Sequence, residues 1–122
     1  NESSAIMKIT DNGKSVVFTG DATEEEEIAA AAASIKADVL KVSHHGSKTS
    51  SSYEFLQAVH PGLAVISVGA DNKFGHPAPE TLEKLQAIGA KVLRTDQAGN
   101  IKVVFDGSNC TWYSYRYQGN YF

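Results

Sequence analysis

The sequence predicts an α/β fold, a mixed β-sheet with flanking helices. Three observations predict it. Short apolar runs at residues 39–42, 63–67 and 91–94 alternate with segments of helical character, the pattern of right-handed βαβ units. Antiparallel pieces joined by turn signals flank that middle at both ends. A chain of 122 residues with 42% hydrophobic content is long enough for about one domain with a real core, so residues 1–122 are expected to form a single domain.

Each element has a local reason. Residues 5–10 and 15–19 read as strands around Asp11-Asn12-Gly13-Lys14, a strong hairpin signal. Residues 24–36 read as a helix with Thr23 as N-cap and Glu26 completing a capping box. Glu24, Glu25, Glu26 and Glu27 fall in its first turn, where the helix dipole favours negative charge, and are expected to face solvent. Residues 39–42 form a short apolar strand. Ser51-Ser52-Tyr53-Glu54 reads as a second capping box, opening a helix that runs to about Val59 and stops before Pro61-Gly62. Residues 63–67 suit a buried strand. Pro79 fits a first helical turn, and Leu82, Leu85 and Ile88 give residues 81–88 an apolar face, with Gly89 as a natural C-cap. Residues 91–94 are again strand. Residues 101–105 and 111–117 read as a closing meander around the turn Asp106-Gly107-Ser108-Asn109.

Composition removes several function classes. Net charge is −3, so nothing marks a general nucleic-acid binder. No apolar run approaches membrane-spanning length. The one cysteine, Cys110, lies beside Trp112 and Tyr113 and reads as a buried structural thiol. The chain begins at Asn1 with neither Met nor a signal peptide, which reads as a piece of a larger protein.

Chemistry-bearing residues fall just after apolar runs. Asp21 follows residues 15–19, in Thr19-Gly20-Asp21. His44 and His45 follow residues 39–42, in His44-His45-Gly46-Ser47. His76 follows residues 63–67 after a loop, in Gly75-His76-Pro77, and Thr95 and Asp96 follow residues 91–94. In successive βαβ units these ends share one sheet edge, where ligands bind. Carboxylate with imidazole suits zinc or manganese, and such an ion activates water near neutral pH. The run Ser47-Lys48-Thr49-Ser50-Ser51-Ser52 adds hydroxyls, a cation and a helix N-terminus, the parts of a phosphate site. Plain structural parts are open to each residue as well: Asp21 as a helix cap, His76 as a turn residue, Lys48 as a surface lysine. His60 stands apart from the other three histidines and reads as a surface residue.

Together, Thr19-Gly20-Asp21, the stretch from Ala37 to Ser50 around His44-His45-Gly46-Ser47, Ala64-Val65-Ile66-Ser67-Val68-Gly69 and Gly75-His76-Pro77 resemble the metallo-β-lactamase superfamily. The subgroup they resemble is the hydrolase domain of ComEC-type competence proteins. The resemblance runs from Asn1 to about Ile101 and leaves out the Tyr-rich tail. It implies one half of an αββα sandwich with a dinuclear site for zinc or manganese. By position it makes Asp21 and His45 metal ligands and His44 and His76 catalytic neighbours. Ser47 and Lys48 remain the substrate-binding candidates. The activity implied is metal-dependent hydrolysis of phosphodiesters, plausibly of DNA during uptake, in a protein outside the cytoplasm or at the membrane.

The main ligand motif of the family, His-x-His-x-Asp-His, is not among the four histidines here. The chain therefore reads as the C-terminal half of the domain, incomplete as an enzyme and short of metal ligands. Apolar surface left open by the missing N-terminal half predicts pairing with that half or with a second copy. Two rival readings stand beside the hydrolase: a non-catalytic α/β binding module, and a hydrolase of small esters, lactams or thioesters.

Overall fold

The computed structural model describes residues 4–115, and 118–121 in backbone only. The chain runs β1 (Met7–Asp11), β2 (Lys14–Phe18), α1 (Glu24–Ala31), β3 (Val39–Lys41), a tight turn at Ser43–Gly46, α2 (Tyr53–Val59), β4 (Leu63–Ile66), α3 (Pro79–Ala87), β5 (Lys91–Arg94), the single turn α4 (Thr95–Ala98), β6 (Ile101–Asp106), β7 (Asn109–Ser114) and β8 (Gln118–Tyr121). Five strands form one sheet in the order β1-β2-β3-β4-β5. β1 and β2 pair antiparallel, and β2 through β5 are parallel. The fold is the mixed α/β arrangement expected.

Alternation along the strands builds a core on each side of this sheet. Val17, Leu40, Ala64 and Ile66 point to one face and meet Phe55, Leu56 and Val59 of α2 and Leu85 of α3. Val39, Leu63 and Leu93 point to the other and meet Cys110 and Trp112 of β7. Burial on both faces is what makes the central strand β4 read as an unbroken apolar run.

The closing meander stands apart from the five-stranded sheet. It does not extend the main sheet; β6, β7 and β8 form a separate antiparallel sheet that covers its second face. Gly99 redirects the chain with φ 77° and ψ −153°, a conformation open only to glycine, and a Cβ there would lie 2.8 Å from Tyr115 Cβ. Part of residues 111–117 lies outside the described residues. Because of this cover, the expected bare half-core shrinks to a strip at the β1–β2 side. There Met7, Ile9 and Phe18 stay exposed beside a groove of about 410 Å³ shared with Ile101, Val103 and Phe105. Cys110 is buried, and burial pushes its thiol up, as a structural cysteine requires.

Helix boundaries differ in two places. α1 has the capping box at Thr23 and Glu26 but stops at Ala31, short of the residues 24–36 that the sequence predicts. No Gly or Pro ends it; the chain leaves to bury Ile35 and Ala37 and to bond Ala37 N to Val59 O at 3.0 Å. α2 is capped by Ser52, whose hydroxyl accepts from Phe55 N, and not by Ser51 with Glu54. Ser51 is left-handed at φ 62° and its amide serves another acceptor.

Candidate functional site

Parallel pairing carries the ends of β2, β3, β4 and β5 to one edge of the sheet, and four hydrogen bonds tie those ends together. His44 N donates to Gly20 O at 2.9 Å, joining the histidine turn to the loop of Asp21. His45 Nδ1 bonds Ser67 O at 2.7 Å, joining it to the exit of β4. Thr95 Oγ1 donates to Val68 O at 2.9 Å and accepts from Val68 N at 2.8 Å, joining β4 to β5.

The histidine turn is a strained piece of backbone. His44 (φ 49°, ψ 44°) and His45 (φ 55°, ψ 24°) are both left-handed, which costs a residue with a Cβ about 1–2 kcal/mol. Gly46 follows at φ 84°, and a Cβ there would stand 2.6 Å from Pro77 Cβ. Ala78 N then donates to Gly46 O at 2.9 Å. The absent side chain at Gly46 thus lets the loop carrying His76 lie directly on the turn carrying His44 and His45.

Three imidazoles meet as a result. The His44 ring centroid lies 6.3 Å from that of His45 and 5.8 Å from that of His76. A carbonyl only accepts, so His45 Nδ1 donates to Ser67 O, and in the neutral ring the lone pair lies on Nε2. Burial, and then the charges of His44 and His45, hold the His76 imidazolium below the ordinary histidine range. The expectation that these residues share an edge holds in the geometry. His60 lies exposed at the end of α2, away from the others.

Beneath the turn sits a residue that sequence reasoning sent to the surface. Glu27 is fully buried. Its Oε2 accepts from Ser43 Oγ at 2.8 Å and Ser51 N at 2.9 Å, and its Oε1 accepts from Ser52 N at 3.0 Å. Ser43 immediately precedes the two histidines, and Ser52 caps α2. One carboxylate therefore anchors both ends of the hydroxyl-rich loop. Burial raises its pKa, and the three hydrogen bonds pull against that rise. Hydropathy gave no sign of it, because Ile28 beside it is 46% exposed. The available signal was the crowd of hydroxyls and amides at residues 47–52, which needs an acceptor.

The sequence matches the family model described as Metallo-beta-lactamase superfamily over residues 1–70. The chain belongs to the metallo-β-lactamase superfamily. It is 44% identical over 104 residues to ComE operon protein 3 of Bacillus subtilis, covering 84% of this chain and 13% of that protein. It is 36% identical over 105 residues to Competence protein ComA of Neisseria gonorrhoeae, covering 84% of this chain and 15% of that protein. Recombination protein 2 of Haemophilus influenzae is 38% identical over 105 residues, covering 86% and 13%. The chain thus spans 13 to 15% of the length of these curated relatives, which are of the ComEC type that the motifs resemble.

Superfamily membership raises the question of metal. The donor chemistry suits divalent ions, and His45 is prepared in the manner of a ligand, one nitrogen oriented by a backbone carbonyl and the other open. The number of donors does not suffice. Among the described residues no three His, Cys, Asp or Glu side chains are grouped to hold an ion. Asp21 is exposed at the end of β2, where its charge supports the Lys41 ammonium against the cost of burial. It does not cap α1, a task that falls to Thr23. These residues alone are not a complete metal site.

The substrate-binding candidates separate. Lys48 is exposed at the tip of the loop. Ser47 is only 5% exposed and is engaged inside it: its hydroxyl pairs with Thr49 Oγ1 at 2.9 Å and accepts from Thr49 N at 3.2 Å. Asp96, at the same edge, pairs two-pronged with Arg94 at 2.6 and 3.0 Å, which holds its carboxyl below the usual range.

Proposed function

We propose that this chain is part of a metal-dependent hydrolase of phosphodiesters, with DNA entering during competence-related uptake as the substrate of the longer protein. The observation that supports this most is the convergence of His44, His45 and His76 beside the Lys48 loop, in a chain whose relatives are competence and recombination proteins by name.

In this reading His45 Nε2 and the Asp21 carboxylate are contributed to a site for zinc or manganese whose other ligands come from elsewhere in the longer protein. Bound there, an ion would supply Lewis acidity and activate water. Lys48 attracts the phosphate from solvent, and Ser47 shapes the loop that presents it. His76, neutral over a wider pH range than a free histidine, exchanges a proton with the substrate oxygen, and His44 supports it edge-on. The rest of the domain packs against the strip of Met7, Ile9 and Phe18. The longer protein works outside the cytoplasm or at the membrane; among the described residues here, no helix is long and apolar enough to cross one.

The test is nuclease activity and metal content of the full-length protein with and without His45→Ala. Loss of both is expected. Unchanged activity would overturn the ligand assignment, and metal-loaded protein inert toward every phosphodiester would overturn the reaction class.

A further inference from the structure

The loop between β4 and α3 presents an aromatic ring that neither core nor turn requires. Phe74 is 80% exposed. Its ring lies 5.6 Å from that of His76, with the planes 25° apart, a stacked pair. The other face of Phe74 is open to solvent. His76 is in turn 5.8 Å from His44. A line of rings thus leads from solvent through Phe74 and His76 to the strained histidine turn.

The backbone that carries this ring is held in place. Asn72 acts as a brace: its Nδ2 donates to Gly69 O at 3.1 Å and His76 O at 2.8 Å. Its Oδ1 accepts from Phe74 N at 3.2 Å and His76 N at 2.9 Å. Beyond His76, Pro77 packs on Gly46 and Ala78 bonds to it. Exposed apolar side chains occur singly on many surfaces, but one carried on a braced loop and stacked on a site histidine is arranged to be met. Exposed Lys73 stands beside it, and exposed Lys48 stands on the neighbouring loop.

We propose that Phe74 and His76 form a stacking platform for an unpaired nucleobase, so that the site receives its nucleic acid as a single strand. The proposal rests on the phosphodiester reading only in taking the substrate to be a nucleic acid. A base has a flat π-face of the right kind, and stacking on Phe74 would bring its phosphate toward the histidines. In a duplex that face is already covered by neighbouring pairs. Net charge of −3 offers little general attraction for a polyanion, so stacking, helped locally by Lys73 and Lys48, carries the discrimination.

The experiment is equilibrium binding to the full-length protein, with chelator present to prevent cleavage. The probes are a short single-stranded DNA, the same strand with abasic sites, and the duplex. Phe74→Ala is expected to weaken binding of the intact strand on the order of tenfold and to leave the abasic strand unaffected. Phe74→Tyr should restore most of the loss, and wild type should prefer the single strand to the duplex. Equal binding of the intact strand by wild type and Phe74→Ala overturns the platform, as does wild type holding the abasic strand as tightly as the intact one. A protein that cleaves DNA yet shows no Phe74 effect keeps the phosphodiester reading and loses this one. A protein that shows the Phe74 effect yet cleaves nothing does the reverse.

Discussion

Removing Glu27 should unseat the histidine turn from below, and the size of the effect can be worked from its contacts. In Glu27→Ala the Ser43 hydroxyl and the Ser51 and Ser52 amides lose their acceptor. A buried polar group left bare costs about 1–3 kcal/mol, so three give a gross loss on the order of 3–9 kcal/mol. Releasing a carboxylate whose burial itself costs several kcal/mol offsets part of this, as does any water that enters. A net loss of about 3 kcal/mol is expected. Glu27→Gln should cost less, about 1–2 kcal/mol. Its carbonyl can replace Oε2 toward Ser43 and Ser51, while its amide faces the Ser52 N–H with a donor. Trp112, the one tryptophan and only 6% exposed, reports unfolding in urea by fluorescence.

The pH dependence supplies a second, signed test of the same residue. Glu27 titrates higher in the folded chain than in the unfolded one, because burial disfavours its charge. The folded state therefore holds the proton more tightly, and stability from this group falls as pH rises. Its contribution is fully present below the range of a free glutamate, about pH 4.3, and is lost on the way up through the raised folded value. Wild type should thus gain on Glu27→Gln as pH is lowered through that window. The difference between the two cancels other groups, such as Asp96, that titrate in both. If wild type instead gains as pH rises, the carboxylate is stabilised by its three donors more than burial opposes it, and the stated balance is wrong. If Glu27→Gln and Glu27→Ala both match wild type in urea, Glu27 does not anchor the loop.

Two further substitutions probe the same edge. Gly46→Ala combines a left-handed backbone with a Cβ 2.6 Å from Pro77; a loss of about 2 kcal/mol or more in urea is expected, and a neutral result would mean that the two loops are free to separate. Asp96→Asn should flatten the acid limb of the stability curve: Arg94 holds the Asp96 carboxyl low, so its contribution is present above the ordinary aspartate range and is lost as pH falls through the depressed value. An unchanged acid limb would refute that contribution.

What the sequence discloses and what it conceals follow from the same physics. Strand β4 is legible because burial on both faces demands a continuous run of β-branched and aliphatic residues, and β3 and β5 because each carries an aliphatic pair between turn signals. The shared direction of β2, β3 and β4 then places Asp21, His44, His45 and His76 at one edge. Residues 101–105 read as a strand from their apolar content, yet that content does not say which sheet a strand joins. That choice is made at Gly99, by a backbone conformation with no mark in hydropathy.

The site divides along the same line. Positions of the imidazoles are a matter of strand ends and are readable. Their mutual arrangement depends on left-handed backbone at His44 and His45, on a missing Cβ at Gly46 and on a buried charge at Glu27. Each of these breaks a local rule that elsewhere predicts structure correctly: non-glycine residues avoid φ > 0, and glutamates at a helix start face water while isoleucines do not. A chain keeps such exceptions only where the surrounding contacts over-determine them, and here they converge on one turn. The local rules fail together at the place where three histidines meet, and that coincidence is itself an argument that the turn is held for chemistry and not for stability.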